Sequence, residues 1–157
     1  MIVRARSPIG LLGLACATVV LGSATTATDP AGAAAVSAQI TTPSRNIGCY
    51  ASSSGGWYLR CDIRTHTYRT PARPTACDLE YGDSLSLRRQ GPARWTCHGD
   101  TTLPPTTGSG FKTLAYGTRW RWGPFECRSE TTGLRCVAPS GHGFVISKQR
   151  TAGTYSP

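Results

Sequence analysis

"NIGCYASSSGGWYLRC", Asn46–Cys61, is symmetric about Gly55, with Cys49 and Cys61 equally far from it. Folding the stretch back on itself opposes Cys49 with Cys61, Tyr50 with Arg60 and Ala51 with Leu59, and leaves "SSSGG" at the turn. Glycines there accept the positive φ that tight hairpin turns demand. Directly opposed residues of antiparallel strands stand within the roughly 4.4–6.8 Å between Cα atoms that a disulfide needs. The stretch therefore reads as a hairpin stapled across its strands. "FECRSETTGLRC", Phe125–Cys136, repeats the design: Cys127 opposes Cys136, Arg128 opposes Arg135, and "ETTG" turns the chain.

Short alternating runs of four to seven residues continue through the rest of the chain, punctuated by Pro, Gly and Thr. No amphipathic helical stretch of useful length occurs, although "TACDLEY" has room for one helical turn. Close-spaced short strands with turn signals predict an all-β domain, a small hairpin-rich barrel or sandwich. "YGDSLSLRRQGPARWTC" and "YGTRWRWGPFEC" share Tyr-Gly, an alternating run, Gly-Pro and then Cys, with Gly-Pro marking a turn between strands.

The first forty residues have another character. Arg4 and Arg6 precede the small-apolar run "IGLLGLACATVVLG", the layout of a signal peptide. Cleavage after Ala27 is the reading taken, with Ala33 and Ala38 also acceptable. Cys16 lies in the middle of that run, and Gly13 stands where a lipoprotein site carries leucine, so lipidation is set aside. Residues 28–40, "TDPAGAAAVSAQI", read as a flexible leader, and 41–155 as the folded domain. No later segment is long and apolar enough to span a bilayer as a helix.

Export makes the other cysteines legible. Six remain, an even number that implies disulfides in a small exported domain. The two hairpins give Cys49–Cys61 and Cys127–Cys136, and leave Cys77 with Cys97. No C-x-x-C or zinc-type His spacing occurs, so no metal is expected, and no cofactor motif is present. Setting Arg4 and Arg6 aside with the leader leaves fifteen Lys and Arg against eight Asp and Glu, about +7. Such a charge draws a protein to anionic polymers more weakly as salt rises. It carries no specific nucleic-acid code, and oligomeric state has no signal here.

"TPSRNIGC", "LRCDI", "CDLEYGDSLSL", "GPARWTCHGDT", "LAYGTRWRWGPFECRSETTGLRC" and "GHGFVISKQ" together resemble a family of small exported domains of high-GC Gram-positive bacteria, over about Thr42 to Ser147. That family is a domain of unknown function. The resemblance implies export and a compact cysteine-bridged domain, and brings no catalytic residues. Arg45 stands where the family carries glycine, so the family's turn geometry need not carry over there.

Candidate chemistry is sparse. "CHGD" sets His98 two residues from Asp100, and Ser84 or Ser140 would complete a Ser-His-Asp set on paper. Triads are recognised by geometry, however, and no nucleophile elbow is present. His98 and Asp100 read more simply as turn residues. His142, in "SGHGFVIS", sits in a glycine turn before a strand whose Phe144 and Ile146 share a face. A ribonuclease-like hydrolase would draw on Glu126, His142 and the arginines. A protein-directed inhibitor would need a rigid exposed loop such as 104–110.

"RWRW" is the strongest binding signal: on a strand, Arg119 and Arg121 take one face, Trp120 and Trp122 the other. The plain reading makes the indoles core and the arginines the wet face. Trp57, beside "SGG", is the better candidate for an exposed ring. The leading expectation is a non-enzymatic module that binds an anionic or carbohydrate partner of the cell envelope, through Trp57, Arg119, Trp120, Arg121 and Trp122.

Overall fold

The computed structural model describes residues 36–107 and 110–153. The leader readings for residues 1–35, including Cys16 and the cleavage points at Ala27 and Ala33, lie outside the described residues. Eleven strands follow one another: β1 Ser37–Thr41, β2 Ile47–Ser52, β3 Tyr58–Ile63, β4 Ser84–Arg88, β5 Arg94–Trp95, β6 Lys112–Thr113, β7 Arg119–Trp122, β8 Phe125–Glu130, β9 Gly133–Val137, β10 Gly143–Ile146 and β11 Thr151–Gly153. They form a six-stranded sheet, β5-β4-β3-β2-β1-β6, and a five-stranded sheet, β11-β10-β9-β8-β7. The fold is all-β, with no helix among the described residues, and the two sheets make a sandwich rather than a closed barrel. "TACDLEY" begins as a turn closed by Cys77 N–H donating to Pro74 O at 3.0 Å, not as a helix.

Both hairpins have the expected register. Cys49 faces Cys61, Tyr50 faces Arg60 and Ala51 faces Leu59; Cys127 faces Cys136 and Arg128 faces Arg135. All three bridges are present: Cys49–Cys61, Cys77–Cys97 and Cys127–Cys136. Both Gly-Pro pairs fall between strands, at β4–β5 and at β7–β8.

The core lies between the sheets. Ile40, Leu59, Ile63, Leu85 and Leu87 come from the six-stranded sheet; Phe125, Leu134, Phe144 and Ile146 come from the other. Strand alternation puts both hairpin disulfides in the same layer, because Cys49, Cys61, Cys127 and Cys136 share the inward parity of these residues. The alternate positions must then face outward, which creates two broad outer faces.

Two features depart from the sequence reading. Residues 37–40, assigned to the leader, belong to β1, paired antiparallel with β2 from Ser37↔Ser52 to Thr41↔Gly48. Their small side chains carry no β signal; the ladder with β2 and the burial of Ile40 (1 % exposed) hold them. Cleavage after Ala38 would cut this strand. The second departure is β6, which joins β1 in parallel, a long-range pairing that no local pattern announces.

Arg45 keeps a glycine-like geometry, with φ +56°. Its N–H donates to Thr42 O at 2.8 Å to close the β1–β2 turn, and its guanidinium donates to Pro105 O. The left-handed region costs a side chain about 1–2 kcal/mol, which the guanidinium contact offsets. Arg45→Ala keeps the strain and loses the contact. Arg45→Gly loses the contact but relieves the strain, and is expected to melt above Arg45→Ala in calorimetry. The reverse order would show that the turn carries no strain.

Candidate functional site

The outer face of the five-stranded sheet carries a ladder of arginines. Arg119 on β7 lies directly opposite Arg128 on β8, and Arg128 directly opposite Arg135 on β9. All three are exposed. Like charges in direct opposition across strands are unfavourable. Carboxylates offset part of this: Glu126 takes Arg121 Nε at 2.7 Å and stands 3.5 Å from Arg119, while Arg128 Nε meets Glu130 at 3.0 Å. The hydrogen bond from Arg121, then the charges of Arg121, Arg119 and Arg128, hold the Glu126 carboxyl below its usual range. Arg135 has no carboxylate partner among the described residues. Four arginines therefore face two glutamates on this surface.

The tryptophans named with those arginines lie elsewhere. Trp120 is buried, 8 % exposed, in the core. Trp122 and Trp57 are half-buried and packed against it, with ring centroids 5.2 Å apart, edge to face. Trp57, the better candidate for an exposed ring, is partly exposed, whereas Trp120 is buried. Gly123 in the β7–β8 turn lies so close that a Cβ built on it would fall 2.0 Å from the Trp57 ring. Trp57 thus packs the β2–β3 turn against the β7–β8 turn, and the Trp57 and Trp122 rings keep only part of their surface exposed.

The outer face of the six-stranded sheet is different. One row crosses five strands in register: Gln39 on β1, Tyr50 on β2, Arg60 on β3, Ser86 on β4 and Arg94 on β5. The row beside it is Thr41, Gly48, Asp62 and Ser84. Residues 99–104 lie over that second row. Gly48 permits the contact, since a Cβ there would stand 2.3 Å from Thr102 O and 2.8 Å from Leu103 Cα. Beneath the loop is a buried ion network. Arg60 donates from Nε to Asp62 Oδ1 at 2.9 Å and from Nη2 to Asp62 Oδ2 at 2.8 Å. It also donates from Nη1 to Asp100 Oδ1 at 2.7 Å and from Nη2 to the Asp100 carbonyl. Burial alone would lower the Arg60 pKa; the hydrogen bonds to Asp62 and Asp100 outweigh it and hold the guanidinium above its ordinary value. The hydrogen bond and charge of Arg60 hold the Asp100 carboxyl below the usual range.

His98 and Asp100 therefore meet, but through the Asp100 backbone carbonyl and not its carboxylate. The His98 ring is buried, with Nδ1 2.6 Å from the Asp100 backbone carbonyl and Nε2 2.9 Å from Asp83 Oδ1. Both ring nitrogens are engaged, and the Asp100 carboxylate belongs to Arg60. Ser84 donates to Asp62 Oδ1 at 2.6 Å and is fully buried, and the His98 ring nitrogens meet Asp100 and Asp83 rather than its hydroxyl. His142 lies in the β9–β10 turn, where its carbonyl accepts from Ala138 N–H at 2.9 Å. Pro104, where the inhibitor loop would begin, is fully buried, and its carbonyl accepts from Arg64 Nη2 at 2.7 Å. Gly108 and Ser109 lie outside the described residues. Among the described residues, no group of three or more His, Cys, Asp or Glu could hold a metal ion, and no helix is long and apolar enough to cross a membrane.

This architecture joins to a family model that matches residues 20–153. The chain belongs to the DUF6636 family, a family of unknown function. No curated protein and no solved structure matches it. The DUF6636 chain thus offers two outer faces, one crossed by an arginine ladder and one that bears tyrosines and is latched by Arg60. Sequence reasoning found Arg119 and Arg121 but missed Arg128 and Arg135 as their continuation, although the paired register already set Arg128 opposite Arg135.

Proposed function

We propose that this protein is a non-enzymatic binding module of the cell envelope or exterior, and that the outer face of its five-stranded sheet takes an anionic polymer. The observation that carries the reading is the registered row Arg119–Arg128–Arg135. Three like charges in direct opposition cost stability unless counter-charge is supplied, and Glu126 and Glu130 supply only part of it. A chain of phosphates, sulfates or carboxylates running across the strands would supply the rest. Arginine suits this role, because its planar fork pairs with such groups through two hydrogen bonds. Three disulfides favour an oxidising location outside the cytoplasm, in keeping with the leader read from the sequence.

The test is retention on immobilised dextran sulfate under a salt gradient. Arg128→Ser with Arg135→Ser is expected to elute at lower salt, with affinity down roughly tenfold, as two exposed charge contacts suggest. Glu126→Gln removes the competing carboxylate and is expected to elute later than the unmodified protein. Unchanged elution of the double variant would end the assignment. Retention lost equally on substituting Arg69 and Arg73, which lie off this sheet, would show general charge attraction instead.

A further inference from the structure

The tyrosine-bearing face has a groove of about 390 Å³ beside the Arg60 latch, lined by Gln39, Tyr50, Tyr58, Arg60, Asp100 and Thr101. That volume falls within the range of small-molecule sites. Its charge balance argues against an anion. The single positive group in the lining, Arg60, is already committed to two carboxylates, Asp62 and Asp100, and Arg88, outside the lining, is stacked over the Tyr58 ring, so an anion entering the groove would meet Asp100 with no uncommitted cation in the lining. An apolar ligand suits it no better, because its rim is polar.

The groups left unused are those that bind sugars. Tyr50 is half-buried, and among the described residues it makes no ring contact and no hydroxyl hydrogen bond. Tyr58 has one ring face taken by the Arg88 guanidinium, 5.2 Å from its centroid, but its hydroxyl is likewise unengaged. The Gln39 amide is exposed, with a donor and an acceptor to offer. Asp100 is held by Arg60 through Oδ1 alone while its side chain stays 82 % exposed, so Oδ2 is fixed in place and open. An aromatic face, an amide and a fixed carboxylate oxygen match a pyranose ring, whose C–H face stacks while its adjacent hydroxyls donate. The latch pre-sets the carboxylate, as a precise binding site requires.

We propose that this groove is a binding site for a neutral pyranose unit of a glycan, with Tyr50 as the platform and Gln39, Tyr58 and Asp100 as its hydrogen-bonding groups. It lies on the opposite outer face from the arginine ladder and does not depend on it.

The test is a titration of the full folded domain, followed by backbone amide NMR, with cellotetraose and tetra-N-acetylchitotetraose as neutral probes and tetragalacturonate as the anionic one. At least one neutral probe is expected to saturate, with a Kd on the order of 0.1–1 mM, and to move the amides of Gln39, Tyr50 and Thr101. Tyr50→Ala is expected to weaken that binding at least tenfold, while Tyr50→Phe, which keeps the ring, retains it and verifies the fold. Arg128→Ser with Arg135→Ser is expected to bind the neutral probe unchanged. Failure of both neutral probes to move these amides, equal binding by Tyr50→Ala, or tighter binding of tetragalacturonate in this groove would each overturn the assignment.

Discussion

Mild reduction of the native protein is expected to open Cys77–Cys97 first and to leave the other two bridges intact. The reason is access. A thiolate must reach a sulfur to exchange with it. Cys97 is exposed, whereas Cys49, Cys61, Cys127 and Cys136 are each at most 1 % exposed, inside the core. Each bridge contributes roughly 2–4 kcal/mol by restricting the unfolded chain. Losing Cys77–Cys97 alone should therefore lower the melting point while leaving a folded domain. The core bridges open only once the sheets have separated, so they should resist reductant until denaturant is added. Stability of small domains totals about 5–15 kcal/mol, so losing all three contributions should leave the reduced chain unfolded. Alkylation followed by mass spectrometry, with and without denaturant, reads this directly. Simultaneous loss of all three bridges in native buffer would show that the sandwich opens far more readily than its buried cysteines imply.

Those cross-strand bridges were also the most legible part of the fold. Cysteines placed symmetrically about a glycine turn leave few registers, and a one-residue slip would move every inward side chain out. Alternation then sorted Trp120 from Arg121 by the same logic. Long-range features left weaker traces. β1 is written in small residues whose strand character comes from β2, and the parallel β1–β6 contact joins segments some seventy residues apart. The candidate sugar groove depends on the same kind of contact. Its Tyr50–Arg60 row could be read from the hairpin, but nothing local says that Asp100, forty residues away, returns to cap Arg60. "CHGD" drew attention to Asp100 for its spacing to His98, while its carboxylate is committed to an arginine on another strand.

Asp62→Ala is expected to be among the most damaging single substitutions in the domain, and Asp100→Ala a mild one, although both remove a carboxylate from the same arginine. Asp62 is fully buried. It accepts from Arg60 Nε and Nη2, from Ser84 Oγ, from Thr101 Oγ1 and from the Thr102 N–H. Removing it leaves a guanidinium whose side chain is only 8 % exposed with the solvent-exposed Asp100 as its one carboxylate, and frees the loop that lies on Gly48. Breaking a buried pair from one side costs about 3–5 kcal/mol, or a fall in Tm on the order of 15 °C in a domain of this size. Asp100 is mostly in solvent, so its pair with Arg60 is screened and contributes under about 1 kcal/mol. Because its folded pKa is depressed, that contribution is present above the ordinary carboxylate value near 4 and fades as pH falls through the lower folded value. Asp100→Ala should therefore lower Tm slightly at neutral pH and converge with the parent protein in acid, while still abolishing sugar binding if the groove assignment is right. Melting curves of both variants across pH test the contrast. Equal losses would mean that the latch works as one unit and that the exposed end of Arg60 matters as much as the buried one.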